Sequence, residues 1–140
     1  MEQKILIVDD EAHIRILMEQ TLEELEDEGV EILIAGDGEE ALEIIKTDKP
    51  GLVFLDVMMP KMNGFEVCHA VKRELKLDNI YIVMLTAKGQ EYDKQKGAEA
   101  GADIYMTKPF DPDEIVEKAV EVLKIDRQDD QARGDWHLVN

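Results

Sequence analysis

A single carboxylate interrupts an apolar run in LVFLDVMMP, residues 52–60, where Asp56 has no basic residue within four positions on either side. An ionised carboxylate in such company needs a cation brought to it from elsewhere in the chain or from solution. Other polar residues stand in comparable places, at the ends of short apolar runs: Asp9 and Asp10 after KILIV, Thr86 after YIVML, and Lys108 closing IYMTK, which also carries Tyr105. If the three carboxylates meet, they make an all-oxygen donor set for a hard divalent ion. Mg²⁺ is held by one or two carboxylates together with water and phosphate oxygens, and Mn²⁺ is satisfied by the same ligands. Lys108 offers a second, fixed cation. Zinc is disfavoured, because the histidines at 13, 69 and 137 show no ligand spacing.

Whether these side chains meet depends on the elements that carry them. Five short runs rich in β-branched residues, Ile5–Val8, Ile32–Ala35, Leu52–Leu55, Ile80–Leu85 and Ile104–Met106, are mostly continuous rather than alternating. That pattern suits parallel strands covered on both faces. Helical spacing fills the intervals. Ile14, Leu17, Met18, Leu22 and Leu25 form one apolar stripe, ended by Gly29. Asp37 and Glu40 open a second helix, with Ala41, Leu42 and Ile45 inward. Asn63-Gly64 opens a third with Phe65, Cys68, Val71 and Leu75 as its buried face. Asp111, Pro112 and Glu114 open the fifth ahead of Ile115, Ala119 and Leu123. The fourth, about 91–98, contains Gly97 and few large apolar residues, and is expected to be the most mobile.

Strand and helix alternating five times imply right-handed crossovers and an α/β fold: a doubly wound, five-stranded parallel sheet in the order 2-1-3-4-5 with five helices, a flavodoxin-like three-layer sandwich. Such sheets bind ligands at the carboxyl edge, where the strand order reverses. Strands 1 and 3 are neighbours in this order, so Asp9, Asp10 and Asp56 converge there. Like charges that close raise one another's pKa and oppose folding unless a cation intervenes. Taken singly, each residue has a plainer reading: an N-cap for the aspartates, a capping hydroxyl for Thr86, a core aromatic for Tyr105 and a turn for Lys108-Pro109. Jointly, the five polar residues Asp9, Asp10, Asp56, Thr86 and Lys108 at one edge of one sheet do not read as five unrelated caps.

The bulk composition narrows the function further. At 140 residues the chain is one domain in length, and 44% hydrophobic with 35% charged residues is a globular balance. A formal charge of −17 argues against nucleic acid and anionic membranes as direct partners. Lys72, Arg73 and Lys76, the one basic cluster, is interleaved with Glu74 and reads as a solvated helix face. Cys68 is the single cysteine and is read as a buried helix residue. The opening MEQKILIVDD is not a hydrophobic targeting segment, no run is long enough to span a bilayer, and the expected location is the cytoplasm.

The set IVDDE (7–11), FLDVMMPKMNG (54–64), LTA (85–87) and YMTKPF (105–110) resembles the receiver domain of bacterial two-component response regulators, including its single-domain chemotaxis member. The likeness covers about residues 4–124. It implies that Asp56 is the phosphoacceptor, taking a phosphoryl group from a sensor histidine kinase or phosphotransfer protein. It further implies that Asp10 binds Mg²⁺ directly, Asp9 through water and Met58 through its backbone carbonyl. Lys108 pairs with Asp56 and then the phosphoryl oxygens, Thr86 hydrogen-bonds the phosphoryl group, and Tyr105 is the aromatic switch that turns inward. Phosphoryl transfer needs positioning and charge neutralisation more than covalent help, which a metal and an ammonium supply.

Two positions, Met58 and Lys88, are those that tune dephosphorylation in the family. Met58 reads first as loop packing, and it cannot orient an attacking water. A haloacid-dehalogenase-like phosphatase is one alternative, but it wants a second Asp where Met58 stands. A phosphorylation-independent pseudo-receiver is another, although none of its commonly lost residues is missing. Residues 1–125 are expected to form the receiver domain and 126–140 a flexible tail or a truncated linker, with Trp136 as its one large aromatic. The output partner is a downstream effector or a missing output domain. A phosphorylation-linked homodimer through helix 4, strand 5 and helix 5 would draw on Lys96, Asp103, Glu114 and Lys118, although Ile104 occupies a place where an acidic partner is common.

Overall fold

A computed structural model describes residues 3–87 and 91–125. Strands β1 (Gln3–Val8), β2 (Val30–Ala35), β3 (Leu52–Asp56), β4 (Tyr81–Ala87) and β5 (Ile104–Lys108) alternate with helices α1 (Ala12–Leu22), α2 (Gly38–Asp48), α3 (Gly64–His69), α4 (Glu91–Ala100) and α5 (Pro112–Leu123). All strand pairs are parallel, in the order β2-β1-β3-β4-β5. Alternate residues of each central strand feed opposite faces. Leu6, Val8, Val53, Leu55, Ile82 and Met84 pack with Ala41, Ile45, Val67 and Val71 of the α2–α3 layer. Ile5, Ile7, Phe54, Val83 and Leu85 pack with Met18, Leu22, Ile115 and Ala119 of α1 and α5. Both faces being covered explains the unbroken apolar runs of β1, β3 and β4. The edge strands are less enclosed, and Ile34 on β2 is 43% exposed.

Four local expectations need correction. Leu17 lies 45% exposed rather than on the buried stripe of α1. After Leu22 the chain tightens into a 3₁₀ segment, Glu23–Glu28, which buries Leu25 and stops at Gly29 with φ of +86°. The third helix begins as expected, with a complete Asn63–Glu66 capping box, but widens into a π segment over Ala70–Glu74. Leu75 N–H donates to Ala70 O at 2.8 Å, five residues back. The wider turn carries Leu75 out to 41% exposure and swings Lys72 inward to 9%. Lys72 is therefore not on a solvated face. Its Nζ lies 2.9 Å from Asp103 Oδ2, and that same oxygen accepts from Ile82 N–H at 2.8 Å. At α5, Pro112 occupies the first turn as expected, while the Asp111 side chain accepts from Asp113 N–H at 2.9 Å rather than from the residue at Glu114.

Gly97 has a packing reason. A Cβ placed there would lie 2.6 Å from both Cε1 and Oη of Tyr105, so the absence of a side chain lets the ring of β5 lie directly against α4.

Candidate functional site

The parallel register pairs Val8 with Leu55, so the next residues, Asp9 and Asp56, leave adjacent strands side by side. Asp9 is fully buried and Asp56 nearly so at 6% exposure, whereas Asp10 is exposed. One oxygen from each of the three carboxylates falls within 4.8 Å of the others. The sheet order thus brings together the acids expected at one edge. All three donors are hard carboxylate oxygens, with no histidine or thiol in the group, and this donor set fits a divalent ion of the Mg²⁺ class.

Lys108 crosses from β5 and its Nζ lies 2.7 Å from Asp9 Oδ2 and 3.1 Å from Asp56 Oδ1. Its shorter contact is with Asp9, a pairing the sequence did not reveal, since the two residues are 99 apart in the chain. Burial and then the neighbouring Asp9 charge push Asp56 up to about 6, against the pull of Lys108. Burial works to lower the pKa of Lys108, but the hydrogen bond to Asp9 and the charge of Asp56 win and leave it raised. At neutral pH the pair is therefore a carboxylate and an ammonium. The Asp9 turn is itself fixed: Oδ1 accepts from Glu11 N–H at 2.9 Å, and Arg15 Nη1 donates to the Asp9 carbonyl at 2.7 Å. Arg15 was not singled out from the sequence, and no spacing rule would have found it.

Thr86 is 2% exposed and follows Leu85, the register partner of Asp56. Tyr105 lies opposite Met84 on β5 and is half-buried against the α2–α3 layer. Burial, and next the Cys68 thiol, push its phenol upward. Cys68 is buried as expected, and burial raises its thiol to about 12. Met58 departs from expectation: its side chain is 64% exposed, while Met59 and Met62 do the loop packing. Lys88 and the segment 126–140, with Trp136, lie outside the described residues.

A parallel 2-1-3-4-5 sheet with an aspartate triad and a lysine at its carboxyl edge defines a class of signalling module. The model of the response regulator receiver domain matches residues 5–120, and the chain belongs to that family: the phosphoacceptor module of two-component signalling. It is 46% identical over 124 residues to the alkaline phosphatase synthesis transcriptional regulatory protein PhoP of Bacillus subtilis, covering 89% of this chain and 50% of that protein. With the protein called ycf27 of Porphyridium aerugineum the identity is 42% over 139 residues, covering 99% of this chain and 54% of that one. The chain thus spans about half the length of these relatives. Among solved structures, the chemotaxis protein CheY4 of Vibrio cholerae superposes with a TM-score of 0.75 at 34% identity, covering 87% of this chain and 99% of that one. The receiver domain of NtrX from Brucella abortus gives 0.74 at 31% identity, over 86% and 98%. Family membership favours neither the haloacid-dehalogenase-like phosphatase nor the pseudo-receiver. No helix among the described residues is long and apolar enough to cross a membrane.

Proposed function

We propose that Asp56 accepts a phosphoryl group from a phosphohistidine on a sensor histidine kinase or phosphotransfer protein, and that the resulting acyl phosphate switches the β4–α4–β5 face. The observation that carries this reading is the placement of Asp56: buried at the sheet edge, 3.1 Å from Lys108 Nζ, and grouped with two further carboxylates. A pKa of about 6 leaves it ionised at neutral pH and thus nucleophilic. Asp9, Asp10, Asp56 and the Met58 carbonyl would hold Mg²⁺, or Mn²⁺ in its place. The ion when bound neutralises charge on the phosphoryl oxygens.

Lys108 keeps Asp56 aimed and then offers its ammonium to the transferred group, releasing part of its hold on Asp9. Thr86 donates its hydroxyl to a phosphoryl oxygen, and Tyr105 packs inward behind it. The chain removes its own phosphoryl group by admitting water, at a rate set by the residues at 58 and 88. The output is a downstream effector or an attached output domain, and the transcriptional regulators named above, about twice this length, favour the latter. A homodimer through α4, β5 and α5 draws less support from the charges available. Asp103 is already bound to Lys72 and Ile82, and Lys118 lies 3.0 Å from Glu121. The cytoplasm is the proposed location, and residues 126–140 the proposed tail or linker.

Incubation with acetyl phosphate and Mg²⁺ should add the mass of one phosphoryl group, and a chelator should abolish the gain. A gain that is indifferent to the chelator would count against the metal's part in the reading.

A further inference from the structure

The loop that leaves Asp56, residues 57–63, is fastened at two points, and both contacts are made on a glycine. At its far end Gly64 N–H donates to Val57 O at 2.9 Å, and a Cβ on Gly64 would stand 2.4 Å from the Asp56 carbonyl oxygen. At its tip the Met62 carbonyl lies on the first turn of α2. A Cβ on Gly38 would fall 1.9 Å from Met62 O and 2.7 Å from both Met62 C and Cβ. The O and C are backbone atoms, which cannot rotate away as a side-chain end would. The same turn holds the loop by charge, with Lys61 Nζ 3.6 Å from Asp37 Oδ2. Lys61 itself takes the left-handed conformation, with φ of +67°.

The first turn of α2 is in turn well fixed. Asp37 Oδ1 accepts from Glu40 N–H and Glu40 Oε1 from Gly36 N–H, each at 2.9 Å. The bond from Glu40 N–H, and then Lys61, hold Asp37 below the usual carboxylate range. Between the two fastened points lies Met58, whose side chain is largely in solvent and so gives its backbone little anchorage.

We infer that Gly38, which is not itself part of the acidic group, is a positioning residue for it: the glycine lets α2 seat the 57–63 loop at the depth that aims the Met58 carbonyl at the metal site. This rests on the proposed part of that carbonyl in ion binding. Groups that orient a ligand without touching the metal commonly change affinity by about 10- to 100-fold when lost. Gly38→Ala must lift the loop by more than an ångström or push α2 away. Ala41→Gly, at a residue buried on the same helix, weakens α2 and adds no atom against the loop.

The test is calorimetric titration of Mg²⁺ and Mn²⁺ into the wild type, Gly38→Ala and Ala41→Gly, with amide chemical shifts of residues 57–59 read in parallel. The expected result is affinity about tenfold or more weaker in Gly38→Ala, with shifted amides at 57–59, and near-wild-type affinity in Ala41→Gly. Should Gly38→Ala not fold, Lys61→Gly keeps the positive φ, removes the tie to Asp37, and is expected to weaken binding in the same direction by a few-fold. Equal affinity in the wild type and in whichever of these loop variants is folded overturns the inference while leaving the phosphoacceptor reading intact. Equal losses in Gly38→Ala and Ala41→Gly overturn it too, since α2 stability would then be the cause. A wild type that binds neither ion removes the ground beneath both.

Discussion

Ionised Asp56 is a burden on the folded state, and replacing it should reveal how large. Its pKa rises from 3.8 in the unfolded chain to about 6 in the fold, chiefly through burial and secondarily through Asp9. A raised folded-state pKa means that stability is fully present below the unfolded value and is lost as pH climbs through the folded one. About two units at roughly 1.4 kcal/mol each gives a loss of about 3 kcal/mol above pH 7, and about half of that near pH 5. Asp56→Asn removes the ionisation and keeps the shape and an acceptor for Lys108. In chelator at pH 8 it should therefore be more stable than the wild type by about 2–3 kcal/mol, a rise in Tm on the order of 10 °C. The difference should shrink toward acid pH, and Mg²⁺ should narrow it by stabilising the wild type more. Urea denaturation of both proteins between about pH 5 and pH 8 provides the assay. An Asn variant that is less stable at pH 8, or a difference that does not move with pH, would refute the electrostatic account of the site.

Other perturbations follow from particular contacts. Lys108→Ala leaves the fully buried Asp9 carboxylate without its cation and should cost about 2–3 kcal/mol in chelator, partly restored by Mg²⁺; equal losses with and without the ion would contradict this. Lys72→Met breaks the pair with Asp103, which keeps Ile82 N–H and is 31% exposed in its side chain, so urea denaturation should show a loss of about 1–3 kcal/mol. Gly97→Ala puts a methyl where the Tyr105 ring lies and should expel the ring toward solvent, read as a shift in its aromatic resonances; an unmoved ring would count against the packing. Met58→Asn should speed loss of the phosphoryl group by orienting a water that methionine cannot, and slower loss in the Asn variant would sink that idea.

The sheet was legible because continuous β-branched runs have few other uses, and because a 2-1-3-4-5 order is the natural winding for five of them. The site was legible for the same reason: Asp9, Asp10, Asp56, Thr86 and Lys108 all stand at strand ends, and the topology collects strand ends. Side-chain reach was not legible. Nothing in the sequence says that Lys108 comes closer to Asp9 than to Asp56. Helical periodicity failed where the helix changed type: a stripe drawn at 3.6 residues per turn cannot foresee the π segment at Ala70–Glu74 that exposes Leu75 and buries Lys72. Gly97 read as a weakness of the fourth helix, whereas the ring of Tyr105 requires it. Met58 read as packing because methionine is apolar, yet the loop spends Met59 and Met62 on the core and turns Met58 outward.

The central claim is that a phosphoryl group lands on Asp56. Incubating the protein with acetyl phosphate and Mg²⁺, reducing the acyl phosphate with borohydride, and sequencing the peptides by mass spectrometry locates it directly. The account predicts one modified residue, homoserine at position 56, and none in Asp56→Asn. Modification at Asp9 or Asp10 instead, or an unchanged level of labelling in Asp56→Asn, would contradict it.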